Sequence, residues 1–144
     1  MLNYNKVIKD DISHNGLSVR EISPVMKLNL RGKKREFFTS VGKNLNMILP
    51  TEANTSTLSD KLTSIWLSPD EWMVVSNDKV QKNNYKYELE ELLYNNISKT
   101  NLGAVTDLTD QFVLLELKGK NIFELFSSGS PFNFNEFKEK KGTT

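Results

Sequence analysis

Residues 64–75 read Ser-Ile-Trp-Leu-Ser-Pro-Asp-Glu-Trp-Met-Val-Val, two short apolar runs on either side of Ser68-Pro69-Asp70-Glu71. Proline at position 69 presets the backbone angle of a tight turn, and Asp70 can bond to nearby backbone. The stretch therefore reads as strand, turn, strand, with Ser64 to Leu67 and Trp72 to Val75 as the two arms. A hairpin here decides the fold, because each arm has a helical pattern beyond it. On the upstream side Phe37, Phe38, Val41 and Leu45 recur at steps of three and four, one face of a helix from Lys33 to about Asn46, with Pro50 closing the unit. On the downstream side Tyr85, Leu89, Leu92 and Leu93 repeat the pattern, with Glu88, Glu90 and Glu91 placed favourably for the helix dipole.

Further out lie more strands. Val25, Lys27 and Asn29 alternate with Met26, Leu28 and Leu30, the period of a half-buried strand that ends at Gly32. Ala104 to Asp110 and Phe112 to Leu117 read as two strands, and Gly119 closes the second. Asn121 is placed to cap a short helix carrying Ile122, Phe123 and Phe126, which ends at Gly129 and Pro131. Before all of these, Asn15-Gly16 signals a turn, followed by an extended run of Leu17, Val19 and Ile22 that Pro24 interrupts. The segment to about Asp11 is polar and aperiodic, and Thr51 to Lys61 has the composition of a loop.

The resulting order is strand, helix, strand, strand, helix, strand, and then a further strand and helix. That order predicts an α+β fold, an antiparallel sheet covered on one face by two helices, the split βαβ or ferredoxin-like plait. The last strand and helix begin a second lobe that the chain does not complete. The 144 residues are read as one compact domain, 1–144.

Composition narrows the chemistry. The chain has no cysteine and one histidine, His14, which excludes a thiol nucleophile, a disulfide framework and a Cys/His zinc cage. Nineteen basic against eighteen acidic side chains give a formal charge of +1 and no field for gathering nucleic acid or an anionic membrane. No secretory signal and no run of apolar residues long enough to span a bilayer is visible, so the chain is read as cytoplasmic. Sixteen lysines and sixteen asparagines reflect an AT-rich coding bias.

The remaining motifs favour structural readings. Arg31-Gly32-Lys33-Lys34-Arg35 could hold a phosphate at a helix start, but with no other basic region it is read as a solvated strand-to-helix corner. Gly42-Lys43-Asn44 lacks the Ser or Thr of a phosphate-cradling loop. Asp70 and Glu71 should point to opposite faces of a strand, and Asp107 and Asp110 should diverge, so neither pair is expected to flank one bond. His14 is expected to be an exposed turn residue. Trp66 and Trp72 bracket the hairpin turn, while Phe132, Phe134 and Phe137 crowd the final segment. Base stacking on these rings is disfavoured by the acidic neighbours Asp70 and Glu71. Core packing explains most of the aromatics and a partner surface the rest, the phenylalanine-rich end being the better interface candidate.

These pieces together resemble a known family. Ile65-Trp66-Leu67-Ser68-Pro69-Asp70-Glu71-Trp72 is similar to the W-L-G-P-D-E-W-L signature of the gamma subunit of heterotetrameric sarcosine oxidase, with Ser68 in place of glycine. Leu30-Arg31-Gly32, Leu49-Pro50, Val105 to Asp110, Leu117-Lys118-Gly119 and Pro131-Phe132-Asn133-Phe134 follow the same family's progression, Asn133 replacing its usual aspartate. The later part is shared with the wider glycine-cleavage aminomethyltransferase superfamily, and the resemblance spans residues 17 to 144. It implies an aminomethyltransferase-like fold and a structural subunit that binds no cofactor of its own and packs mainly on the large alpha subunit. The beta and delta subunits would complete an assembly that demethylates sarcosine oxidatively to glycine, with tetrahydrofolate accepting the one-carbon unit and hydrogen peroxide released. FAD, FMN, NAD and zinc would sit in those partner chains. Trp66, Asp70, Glu71 and Trp72, with Phe132 and Phe134, would shape and present the docking surface, whether Trp72 serves as core or as interface. The alternative is a free-standing folate-binding or tRNA-maintenance module of the superfamily. Family members continue beyond the position of Gly142-Thr143-Thr144, so an incomplete second lobe with poorly buried phenylalanines is expected.

Overall fold

A computed structural model describes residues 5–22, 24–79, 82, 85–134 and 137. The polar stretch from Asn77 to Asn84 lies partly, and Gly142 to Thr144 wholly, outside them. The chain divides into two compact units, one formed by residues 25–112 and one that joins the described residues before position 25 to those after 112.

In the larger unit, β3 (Lys27–Arg31), α1 (Arg35–Leu45), β4 (Ser56–Leu58), β5 (Leu62–Ser68), β6 (Glu71–Ser76), α2 (Glu88–Leu93) and β7 (Ala104–Asp107) follow in order. The sheet runs β4-β5-β6-β3-β7 with every neighbouring pair antiparallel. Without β4 this is the strand order of the ferredoxin-like plait, and the fold is α+β as the pattern predicts. The hairpin is formed as read, with Ser68 opposite Glu71, Trp66 opposite Trp72, and a bulge between them at Leu67.

The helical stripe of α1 buries Phe37, Val41 and Leu45. The helix stops four residues short of Pro50 because Asn46 takes the left-handed conformation (φ 50°) suited to a helix end. At the start of α2 the Glu90 carboxylate accepts the Tyr87 backbone N–H. Past Leu93 the helix widens into a π-helical turn, Tyr94–Ser98, in which the Lys99 amide reaches the Tyr94 carbonyl. These elements press Leu93 and Ile97, with Tyr87, against Leu28, Leu30, Trp72 and Val74 of the sheet. Gly32 and Gly103 are where they are for want of space. A methyl group on Gly32 would lie 2.4 Å from the Phe37 ring, and one on Gly103 would lie 2.2 Å from the Arg31 carbonyl oxygen.

β3 departs from the half-buried expectation, because Lys27 and Asn29 are buried as well as Leu28 and Leu30. The Lys27 ammonium donates to the carbonyls of Val25 and Thr109, and the Asn29 amide donates to Glu71, so both polar groups are satisfied. The strand expected over residues 104–110 ends at Asp107, whose carboxylate accepts the Thr109 N–H and turns the chain. β4 lies inside the stretch read as loop.

The smaller unit holds β1 (Ile12–His14), β2 (Leu17–Glu21), β8 (Leu115–Gly119) and α3 (Ile122–Ser127). The sheet order is β1-β2-β8, so the strand and helix expected to open a second lobe are joined by the first strands of the chain. Asn15 (φ 47°) and Gly16 (φ 76°) make the two-residue turn between His14 and Leu17, a conformation for which Asn-Gly is the favoured pair. His14 is exposed, as expected. Glu21 is buried, and its carboxylate accepts the amides of Val7 and Ile8 at 2.7 and 2.9 Å. Asn121 occupies the N-cap position of α3 without a side-chain capping bond, and its side-chain amide donates to the Asn15 carbonyl.

Candidate functional site

The signature hairpin and the basic cluster, far apart in sequence, form one corner. β3 lies beside β6, and the register that puts Arg31 opposite Glu71 also brings the Gly32 amide to the Asp70 carbonyl oxygen at 3.1 Å. The side chains then pair. Lys33 Nζ lies 3.3 Å from Asp70, Arg31 lies 3.4 Å from Glu71, and Asn29 donates to Glu71 at 2.8 Å. The Ser68 hydroxyl donates to Asp70 at 2.9 Å. This hydroxyl first, and the Lys33 ammonium after it, hold the Asp70 carboxyl below the usual carboxylate range. Arg31 and Lys33 are therefore ion-paired parts of the corner, while Lys34 and Arg35 remain exposed. Asp70 and Glu71 engage separate partners and do not converge, in keeping with the sequence reading.

Trp66 and Trp72 lie opposite each other on one face of the sheet. Trp72 is 1% exposed; its indole N–H donates to the Pro50 carbonyl at 2.7 Å, and its ring meets Phe37 and Phe38 at centroid distances of 5.8 and 5.3 Å. Of the two roles left open for it, the structure assigns the core. Trp66 is half-buried against the same cluster. The hairpin tip is thus held from beneath by aromatic packing and from the side by ion pairs.

The second candidate surface lies in the smaller unit. Phe123, Phe134 and Phe137 stack with interplanar angles of 18° or less, Phe132 packs on Phe134 and Phe137, and Phe126 stacks on Phe134. α3 has no buried residue, and Leu125 and Phe126 are exposed. Phe132 and Phe134 belong to this aromatic group and not to the hairpin corner, so the proposed docking residues fall into two separate sets.

Asp107 and Asp110 need a correction. They converge on one ammonium, with Lys82 Nζ 2.7 Å from Asp107 and 3.8 Å from Asp110. The expected divergence assumed a continuous strand, whereas the chain turns after Asp107. Burial raises the Asp107 carboxyl, but bonds from Lys82 and Thr109 outweigh it and leave a net lowering. Burial likewise works against the charged form of Lys82, and Asp107 reverses the balance, raising the ammonium. Lys27, nearby, is lowered by burial against the pull of Asp110 and Asp107. Sequence reasoning missed Lys27, Lys82 and Glu21, because lysines and glutamates outside any motif carry no signal of the partner that buries them. Among the described residues no three His, Cys, Asp or Glu side chains gather as a metal site, and no helix is long and apolar enough to cross a membrane.

Comparison with known proteins adds to this geometry. The sarcosine oxidase gamma subunit family matches residues 32–138, a span that includes the hairpin with Asp70 and Glu71, Lys33 and all five rings of the aromatic group, while Asn29 and Arg31 lie just before it. Among solved structures, a chain of the heterotetrameric sarcosine oxidase from Corynebacterium sp. U-96, determined in complex with pyrrole 2-carboxylate, superposes with a TM-score of 0.73 at 17% identity. The match covers 90% of the present chain and 64% of that one, so the chain spans somewhat less than two thirds of its structural relative. At this identity the likeness concerns the fold. No curated protein sequence matches.

Proposed function

Since the chain belongs to the sarcosine oxidase gamma subunit family, we propose that it is a non-catalytic structural subunit of a sarcosine oxidase complex. The family match across the signature hairpin is the observation that carries this reading. The chain docks on the large alpha subunit, with the beta and delta chains completing the assembly in the cytoplasm. The assembly demethylates sarcosine oxidatively to glycine, passing the one-carbon unit to tetrahydrofolate and releasing hydrogen peroxide. FAD, FMN, NAD and zinc belong to the partner chains, and this chain holds none of them.

The corner's geometry supports a scaffolding role. Asp70 and Glu71 are tied to Lys33 and Arg31, so their chemistry goes into fixing the tip of a hairpin. Trp66 and Trp72 shape that tip from below, and Phe132 and Phe134 present an apolar surface of the kind a partner covers. Co-expression with the other oxidase chains tests the proposal: the protein should elute with a flavin-containing assembly. Elution alone, while that assembly forms, would refute it. Saturable folate binding by the isolated chain would favour the free-standing module instead.

A further inference from the structure

A cavity of about 710 Å³ opens in the larger unit, where the end of α1, the start of β5 and the start of α2 meet. Its wall is apolar, built from Leu45, Leu62, Leu89 and Leu92. Its polar lining joins the neutral Asn44, Asn46, Ser59 and Ser76 to three carboxylates, Asp60, Asp78 and Glu88, and a single cation, Lys61. All four charged residues are exposed. Among the described residues none of the four makes an ion pair, whereas Asp70, Glu71, Asp107 and Glu116 are each held by a lysine or arginine. Apolar surface continues beyond the cavity: Leu92 is 43% exposed, and Leu58, next in the chain to the lining residue Ser59, is 67% exposed.

From this arrangement we infer that the cavity receives a segment of a partner subunit that presents an apolar side chain beside a lysine or arginine. The inference rests on the proposed role as a subunit and names a surface that role uses. Three carboxylates around an apolar wall, without an ion pair among the described residues, attract a cation and fix its register, while the leucines bury the neighbouring apolar group. The same carboxylates repel an anionic ligand such as the glutamate tail of a folate. The exposed Leu58 beside the rim favours a polypeptide over a small molecule, because it extends the apolar area past the cavity itself.

Charge reversal tests this with the full chain and the co-expressed oxidase subunits, following co-elution across a sodium chloride series. Asp60→Lys, Asp78→Lys and Glu88→Lys combined should lower the co-eluting fraction at least tenfold while leaving the melting temperature of the isolated chain unchanged. Lys61→Glu should act in the opposite sense, moving half-dissociation to higher salt, an effect no folding defect produces. Wild-type co-elution by the triple variant at every salt concentration would overturn the inference and leave the subunit role intact. Failure of the wild type itself to co-elute would overturn both. Self-association of the isolated chain, lost in the triple variant, would identify a second copy as the occupant and overturn the partner assignment.

Discussion

Replacing Trp72 with alanine separates a core role from an interface role. The indole is 1% exposed. A fully buried tryptophan removes on the order of 250 Å² from water, worth about 6 kcal/mol at ~25 cal/mol per Å². A compact unfolded state reduces that to about 4–5 kcal/mol. Loss of the indole donor leaves the Pro50 carbonyl without that partner, adding about 1 kcal/mol. The expected cost for Trp72→Ala is therefore about 5–6 kcal/mol, a large part of the about 5–15 kcal/mol that holds a typical domain together. Trp72→Phe keeps most of the packing and should cost about 1–2 kcal/mol. Urea unfolding of the isolated chain measures both, with Trp66 as the sole remaining indole reporting on the same sheet. A Trp72→Ala cost below 1 kcal/mol, with assembly lost, would refute the core assignment.

Two glycines should respond in opposite directions to the same change. Gly103→Ala drives a methyl group against the Arg31 carbonyl and the Phe37 ring and should destabilise by about 1–3 kcal/mol; Gly42→Ala, in the interior of α1 with its nearest obstacle 3.6 Å away, should stabilise by about 0.5–1 kcal/mol. Paired thermal melts check the two. The Lys82–Asp107 pair predicts a pH dependence at both ends of the scale. Asp107 titrates lower when folded, so its contribution is present above the ordinary carboxylate range and is lost as pH falls through the lowered value. Lys82 titrates higher when folded, so its contribution is present below the ordinary lysine range and is lost as pH rises through the raised value. Asp107→Asn should flatten both arms of a stability–pH curve.

The plait was legible because its signals are local. The α1 stripe of Phe37, Val41 and Leu45 and the turn at Pro69-Asp70 lie within one element each, and their periodicity fixes which face is buried. β4 escaped notice because three residues, Ser-Thr-Leu, carry no period and belong to a strand only through pairing with β5. The partner of β8 was hidden for a related reason: Leu117 finds Val19 across nearly the whole chain, and no pattern within either strand encodes the other. The corner shows the same divide. Asp70 and Glu71 were visible as residues, but that they answer Arg31 and Lys33 follows from the β3–β6 register. Asp110 was misjudged because the Asx turn at Asp107 breaks the strand on which the divergence argument depended.

The pairing of Leu17 with Gly119 also sets an order of events during synthesis. The hairpin around Asn15-Gly16 leaves the ribosome early, yet its third strand emerges only after residues 25–112 have been made and can close upon themselves. Through that interval β2 offers an unsatisfied edge to any other extended chain nearby. A slow codon stretch between positions 107 and 115 would lengthen the exposure without touching the finished protein, so the yield of soluble material should depend on translation speed there.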